Sequence, residues 1–220
     1  MKVVSLGFQC TLNMYLKKIN KRKTAYPFDW ILSTPKIVFE LLKLLLIDNL
    51  DTKELVKEYF FKCDGRVNSK FAEHFYIDDN PNGKLHNTKN NLIFPHDEDS
   101  IETIEKYIRR FDRLKDDILN SNEEICFIYT SQSNLEGDGN FTIKGINQIS
   151  NVYMYLNKIY ELIGNIRNGK KYKMMIFDAV KNEDKNILNK NIILYELYSC
   201  ENWVRIEHQL YNYISLFNDV

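Results

Sequence analysis

The chain has 220 residues with 30 basic and 30 acidic side chains, which give a formal net charge of +0 at pH 7. This length suits one compact domain, and we predict a single domain over residues 1–220. Because the two signs of charge balance and are mixed along the chain, the composition argues against nucleic acid as a partner.

The first predicted elements are a strand followed by helices. Residues 2–6 are apolar and β-branched and predict a strand that ends at Gly7. Apolar residues then recur with helical spacing over 12–19, which predicts a first helix. A threonine followed by proline opens a second predicted helix over 34–47, and the segment TKELVKEYFF predicts a third.

The middle and end of the chain alternate strands with helices. The turn sequence NPNG predicts a small hairpin excursion around 71–94, and Asp99 with Glu102 predicts the start of a long helix. The segments EICFIYT, KMMIFDA and NIILYEL predict strands, with a helix over 143–166 and an amphipathic helix over 203–217.

This order predicts an α/β fold. Near-continuous apolar strands separated by helices are typical of a mainly parallel sheet with helices on both faces, a three-layer, Rossmann-like architecture. Ligands of such sheets bind at the carboxyl ends of the strands. The first turn of this kind, after residues 2–6, is therefore the first place to look for chemistry.

The compartment and the cysteines follow from simple absences in the sequence. No segment approaches the about 20 uncharged apolar residues of a spanning helix, and no secretory signal precedes the first strand, so we predict a cytoplasmic protein without a membrane span. The four cysteines have no CxxC pair, which argues against a disulfide framework and against a metal site. They are Cys10, Cys63, Cys126 and Cys200.

The turn LGFQC carries the most reactive context for a thiol. Gly7 permits a sharp exit from the strand, and Gln9 and Cys10 then lie at a helix N-terminus. The helix dipole favours the thiolate of Cys10, and the free N–H groups with the Gln9 side chain can stabilise an oxyanion. The alternative is a packing turn, because free cysteine is among the most buried residue types.

A nucleophilic thiolate needs a base, and four histidines compete for that role. His96, in IFPHDED, has Asp97 beside it and is the preferred candidate, while His208 is a reserve. In PFDW, Asp29 lies between two aromatic residues as either a desolvated site carboxylate or a cap, and Trp30 is a candidate for substrate contact.

The motifs SLGFQC, AYPFDWI and PHD together resemble a family of microbial and viral proteins named papain-like cysteine peptidases. The resemblance covers chiefly the first hundred residues and implies a catalytic pair of Cys10 and His96, with Asp29 or Asp97 as the acid that orients the imidazole. True papain-like enzymes lack a parallel strand before the nucleophile helix, so the predicted fold departs from theirs. The matching positions are Ser5, Leu6, Gly7, Cys10, Tyr26, Pro27, Phe28, Asp29, Trp30, Ile31, His96 and Asp97.

A second resemblance is weaker. A glycine and a cysteine after an N-terminal strand are also similar to the coenzyme A-binding proteins of capsule biosynthesis, whose layout is SGNH-like. This similarity implies acyl transfer from a coenzyme A thioester. SGNH enzymes carry Asp-x-x-His near the C-terminus, whereas here Arg205 stands three residues before His208.

Three functions remain open at this point. The first is a cysteine-dependent hydrolase that uses Cys10 and His96 on a peptide, glycan or small-molecule substrate and needs no cofactor. The second is an acyltransferase that uses an acyl thioester, with coenzyme A as donor, in surface polysaccharide modification. The third is a non-catalytic domain that binds a glycan or metabolite on the same scaffold, because a fold does not fix a function.

Overall fold

The computed structural model describes residues 1–7, 10–71, 74–77, 82–90, 92–130, 142–143, 146–147, 152–178, 185–196 and 210. The strands within these residues are β1 (Lys2–Ser5), β2 (Gly65–Phe71), β3 (His74–Ile77), β4 (Lys84–Asn87), β5 (Leu92–Phe94), β6 (Ile125–Thr130), β7 (Thr142–Ile143), β8 (Ile146–Asn147), β9 (Tyr172–Asp178) and β10 (Ile192–Glu196). The helices are α1 (Cys10–Lys18), α2 (Pro35–Leu46), α3 (Thr52–Glu54), α4 (Ile101–Asn120) and α5 (Val152–Arg167).

The main sheet is parallel, with the strand order β1-β6-β9-β10. Along β6 the side chains alternate between its two faces. Phe127 and Tyr129 belong to the large core that also contains residues of α2, α4 and α5. Cys126 and Ile128 belong to a smaller core with residues of α1 and with Leu210. Both faces are thus covered, which confirms the predicted α/β class.

The N-termini of two helices show how the sequence sets their starts. Thr34 Oγ1 accepts from the Ile37 N–H at 3.5 Å and caps α2, as its position before a proline predicts. The cap of α4 is Ser100, whose Oγ accepts from the Thr103 N–H at 3.2 Å. The prediction of Asp99 as the cap is therefore wrong by one residue.

The predicted excursion at 71–94 is confirmed as part of a second, mostly antiparallel sheet with the order β5-β4-β2-β3-β7-β8. The two strands that flank NPNG do not pair with each other, because β3 and β4 both pair with β2. The excursion also begins earlier than predicted, at Gly65, where β2 starts.

Two helix predictions differ from the structure. The segment TKELVKEYFF continues from α3 as a π-helix over Leu55–Phe60. The helix predicted over 143–166 begins only at Val152, because 142–143 and 146–147 are paired as strands. Apart from Leu210, the predicted helix over 203–217 lies outside the described residues. The organisation of 1–220 as one domain stays a prediction.

Among the described helices, none has the length and apolar character needed to cross a bilayer.

Arg167 caps the C-terminal end of α4. The residue is 1% exposed, and its guanidinium donates to backbone carbonyls at the end of α4, in the loop after α4 and just after α5. Because one buried cation satisfies several such carbonyls, it fixes α4 against the start of β6 and the end of α5. The acceptors are the carbonyls of Asp117 at 3.1 Å, Ile118 at 3.2 Å, Ser121 at 3.3 Å, Glu123 at 2.9 Å and Lys171 at 3.1 Å.

Tyr26 connects α4 to the segment that follows α1. Its hydroxyl donates to Asp117 Oδ2 at 2.6 Å, and Lys2 of β1 forms an ion pair with Oδ1 of the same carboxylate. Burial and the bond to Asp117 raise the pKa of Tyr26 far above its ordinary value. A buried network thus joins β1, α4 and the Tyr26 turn.

We expect Arg167→Met to lower the free energy of unfolding by about 3 kcal/mol or more, because several buried carbonyls lose their donor. Lys170→Met is the matched control, since Lys170 donates a solvent-exposed hydrogen bond to the Leu119 carbonyl at 2.7 Å at the same helix end. Its loss should stay under about 1 kcal/mol. Denaturant unfolding followed by circular dichroism measures both, and equal losses would contradict the role of Arg167.

For Tyr26→Phe we expect a stability difference from the unmodified protein that depends on pH. Below pH 10 tyrosine is neutral in both states, and the difference is about 1–3 kcal/mol for the lost bond. Above pH 10 the unfolded chain ionises while buried Tyr26 does not, so the advantage of tyrosine shrinks by up to about 1.4 kcal/mol per pH unit. Chemical unfolding from pH 7 to 11 tests this, and a constant difference would refute it.

Candidate active site

The turn after β1 packs directly against a second segment of the chain. Gly7 has φ +91°, a left-handed conformation that residues with a side chain rarely adopt. A Cβ atom on Gly7 would lie 2.2 Å from Ser33 Oγ and 3.5 Å from Phe28 Cβ. The glycine therefore serves two needs at once, the turn itself and the close approach of the segment that carries Phe28 and Ser33.

The helix that follows this turn begins at Cys10, at the carboxyl end of the parallel sheet. The side chain of Cys10 and all of Gln9 lie outside the described residues, so the thiolate and the oxyanion contact stay predictions. One turn further along α1, Asn13 donates a hydrogen bond from Nδ2 to the backbone carbonyl of Asp29. This bond holds the first turn of α1 against the YPFD turn.

The carboxylate of Asp29 is 2% exposed and forms an ion pair with Arg22. Its Oδ2 accepts from Arg22 Nη2 at 2.7 Å, from Arg22 Nε at 3.2 Å and from the Tyr26 N–H at 2.9 Å. Burial raises the pKa of Asp29, and the charge and hydrogen bonds of Arg22 with the Tyr26 N–H oppose this rise. Arg22 thus offsets much of the cost of burying the carboxylate.

Trp30 lies between this ion pair and His96. The guanidinium of Arg22 lies over the Trp30 ring, 5.4 Å from its centroid. The His96 ring meets Trp30 edge to face, with centroids 5.9 Å apart and an interplanar angle of 89°. His96 itself is exposed. Asp29, Arg22, Trp30 and His96 therefore form one continuous series of contacts.

Backbone hydrogen bonds explain why His96 lies beside Trp30. The Leu32 N–H donates to the Ile93 carbonyl at 2.9 Å, and the Ile93 N–H donates to the Leu32 carbonyl at 3.2 Å. This bridge fixes the residues after Trp30 alongside β5, and His96 follows the end of β5 by two residues. The YPFDWI and PHD motifs are thereby held together although more than sixty residues separate them.

Asp97 is directed towards α4. Its side chain is 5% exposed and forms an ion pair with Lys106, and the hydroxyl of Tyr107 donates to its other oxygen. Burial and Asp97 raise the pKa of Tyr107 well above its ordinary value, so Tyr107 stays a donor. Within the described residues, neither Asp97 nor Asp29 forms a hydrogen bond with His96.

The structure brings Asp29, Trp30 and His96 together beside the first turn of α1, and we call this region the corner. The hydrogen bond from Asn13 connects α1, which begins at Cys10, to Asp29. The ring of Trp30, the residue after Asp29, contacts the ring of His96. The distance from the Cys10 thiol to the imidazole involves a side chain outside the described residues, so the pair itself stays a prediction. Gly7 borders the same corner through its contact with Phe28.

The other described thiols are poor nucleophiles. Burial, with nearby carboxylates as the next cause, raises the pKa of Cys63 to about 12. Burial raises the pKa of Cys126 to about 12 as well, and its Sγ contacts Met175 Sδ at 3.5 Å. Cys200 and His208 lie outside the described residues. In the described part of the chain, no three His, Cys, Asp or Glu side chains are grouped to hold a metal ion.

Arg22 and Ser33 are among the residues of the corner that the sequence did not predict. Arg22 is the one arginine in the lysine-rich loop KKINKRK, and arginine is the cation that suits buried, bidentate pairs. An arginine in this loop, only a few residues before Asp29, was therefore a usable signal for such a pair. Ser33 is fully buried, and its Oγ has no hydrogen-bond partner within the described residues. No local pattern in the sequence marks Ser33.

Comparison with known proteins supports the resemblance seen in the motifs. Residues 1–141 match the profile of a protein family, and this segment holds β1 to β6, Cys10, the YPFDWI turn and His96. No curated protein and no solved structure shows a significant match to the chain. The similarity to capsule-biosynthesis proteins stays a prediction. The family profile covers well over half of the chain, which therefore belongs to the family described as "Putative papain-like cysteine peptidase (DUF1796)".

Proposed function

We propose that the chain is a cysteine-dependent hydrolase in which Cys10 is the nucleophile and His96 is the general base and acid. The observation that carries this proposal is that the first turn of α1 and His96 lie at the same corner. The hydrogen bond from Asn13 to Asp29 holds α1 there, and Trp30 contacts His96 there. Membership of the cysteine peptidase family supports the same chemistry.

In the proposed reaction, His96 accepts the proton of the Cys10 thiol and leaves a thiolate beside an imidazolium. The thiolate attacks the carbonyl carbon of the substrate, and the carbonyl oxygen becomes an oxyanion. Backbone N–H groups at the start of α1 and the Gln9 side chain stabilise that charge. When the tetrahedral intermediate collapses, the bond to the leaving group breaks and His96 returns its proton to that group.

The second half of the reaction releases the acyl group. His96 takes a proton from a water molecule, whose oxygen attacks the thioester carbonyl on Cys10. Collapse of this intermediate releases a carboxylic acid and regenerates the thiol. If a sugar hydroxyl replaces water at this step, the same residues perform acyl transfer, so hydrolysis and transfer differ only in the acceptor.

We assign Asp29 and Asp97 to the walls of the site. Each carboxylate is buried and held by a cation of its own, Arg22 or Lys106, and neither bonds to His96 in this structure. Trp30, which meets the imidazole edge to face, limits its orientation. The acids thus act by fixing the YPFDW and PHD segments that carry Trp30 and His96.

The first test is the pH dependence of alkylation at each cysteine, followed by peptide mass spectrometry with iodoacetamide. Cys10 should react fast below the ordinary thiol pKa of about 8.5, because His96 and the helix dipole favour the thiolate. Cys63 and Cys126 are internal controls and should react at least a hundred-fold more slowly at pH 7, because each pKa is raised to about 12. His96→Ala should remove the advantage of Cys10 at low pH.

Glu98→Ala is the matched control for the loop that carries His96, since Glu98 is exposed and two residues away. It should leave the pH profile of Cys10 unchanged. If Cys10 reacts as an ordinary thiol in the unmodified protein, or if His96→Ala leaves its profile intact, the pair does not exist and a binding domain replaces the enzyme. If the pair exists, turnover of peptides against acyl thioesters then separates hydrolysis from acyl transfer.

A further inference from the structure

One face of α4 presents a row of cations to the corner that holds Trp30 and His96. Lys106, Arg110 and Arg113 follow each other at spacings of four and three residues, which places them on the same side of the helix. The other side carries Arg109, which is exposed and pairs with Glu105 at 3.9 Å. Arg109 and Arg110 are adjacent in sequence but therefore lie on different sides of α4.

The two buried carboxylates of the corner are already paired with other cations. Lys106 pairs with Asp97, and Arg22 pairs with Asp29. Within the described residues, no carboxylate forms an ion pair with Arg110.

Arg110 is held in place without using its hydrogen-bond donors. The residue is half-buried, and its guanidinium lies over the Tyr107 ring, 5.3 Å from the centroid. No carbonyl or carboxylate among the described residues accepts a hydrogen bond from it. Burial raises the pKa of Asp29, and Arg110 is, after Arg22, a charge that opposes this rise, so it lies close to the site.

We propose that Arg110 binds a carboxylate of the substrate, so that the site acts on substrates that carry a negative charge near the reacting carbonyl. The proposal rests on the proposed function, because it deepens the description of the same site. A guanidinium stays charged at every physiological pH and offers parallel N–H groups that match the two oxygens of a carboxylate. The ring of Tyr107 fixes the cation, which lowers the entropy lost on binding.

Arg113 makes a weaker candidate for this role. It is exposed, and its Nη1 already donates to the Ala25 carbonyl at 2.7 Å. An exposed charge is screened by salt and contributes little to selectivity. Arg110 is half-buried and has no such bond among the described residues, so its charge is less screened by solvent.

Two alkylating reagents of nearly equal size test the proposal. Iodoacetate and iodoacetamide share a leaving group and differ in a carboxylate against an amide, so the ratio of their rate constants at Cys10 reports the local charge. Arg110→Gln should lower this ratio about three-fold or more, because the attraction for the anion is lost. Arg109→Gln should leave it unchanged, and Arg110→Lys should keep part of the effect of charge.

The outcomes separate this inference from the proposed function. If Cys10 reacts with iodoacetamide as proposed but Arg110→Gln does not lower the iodoacetate ratio, the substrate inference is wrong and the enzyme stands. If Cys10 is unreactive towards both reagents, the proposed function fails, and the inference about its substrate fails with it.

A second measurement tests binding of the anion without any reaction. Succinate is titrated into the protein while the imidazole signal of His96, assigned with His96→Gln, is followed by NMR at constant pH and ionic strength. We expect a saturable shift in the unmodified protein and in Arg109→Gln, weakened at least three-fold in Arg110→Gln. A shift that survives in Arg110→Gln would overturn the proposal.

Discussion

The corner that holds the candidate site depends on Tyr26, which is fixed between two buried carboxylates. Its hydroxyl donates to Asp117 of α4, and its backbone N–H donates to Asp29. Each of these acids also has a cation, Lys2 or Arg22. Because a buried charge without a partner is costly, this arrangement admits few alternative positions for the YPFDW turn. The turn in turn sets where Trp30, and through it His96, are found.

The polar network and the apolar core support each other at this turn. Phe28 is fully buried and meets the rings of Phe60 and Phe111 in edge-to-face contacts at 6.2 and 5.7 Å. The proline before it restrains the backbone, and Gly7 allows the strand end to approach. The corner of the candidate site is thus built on a buried, well-packed part of the protein, as precise positioning of reacting groups requires.

The parallel strands, the start of α2 and the first turn were predicted correctly from the sequence, because each depends on a local signal. Apolar runs mark β6 and β9, Thr34 with Pro35 marks the start of α2, and a glycine after a short strand marks the first turn. The cap at Ser100 was missed because Asp99 and Ser100 are both good caps, and backbone geometry decides between them. The start of α5 at Val152 was missed because apolar residues with helical spacing before it are paired as strands, and pairing overrides propensity.

The site was harder to predict because its partners are distant in sequence. The motifs identified Cys10, Asp29 and His96 as candidate site residues, whereas nothing in the sequence indicated the partner of each acid. Arg22 and Lys106 neutralise Asp29 and Asp97, and both pairs depend on how the loop after α1 and the helix α4 are placed. A sequence pattern contains the charges, but only the fold assigns them to one another.

Arg167 has a consequence for the boundaries of the family segment. The segment matched by the family ends at residue 141, yet the last helix and strand within it are completed by later residues. The carbonyls at the end of α4 are satisfied by Arg167, and one edge of β6 pairs along its length with β9. A chain cut at residue 141 would expose an unpaired strand edge and leave buried acceptors without donors. The part of the chain that carries the candidate catalytic groups is therefore not expected to fold by itself. A shortened version of the protein would have to include β9 and Arg167.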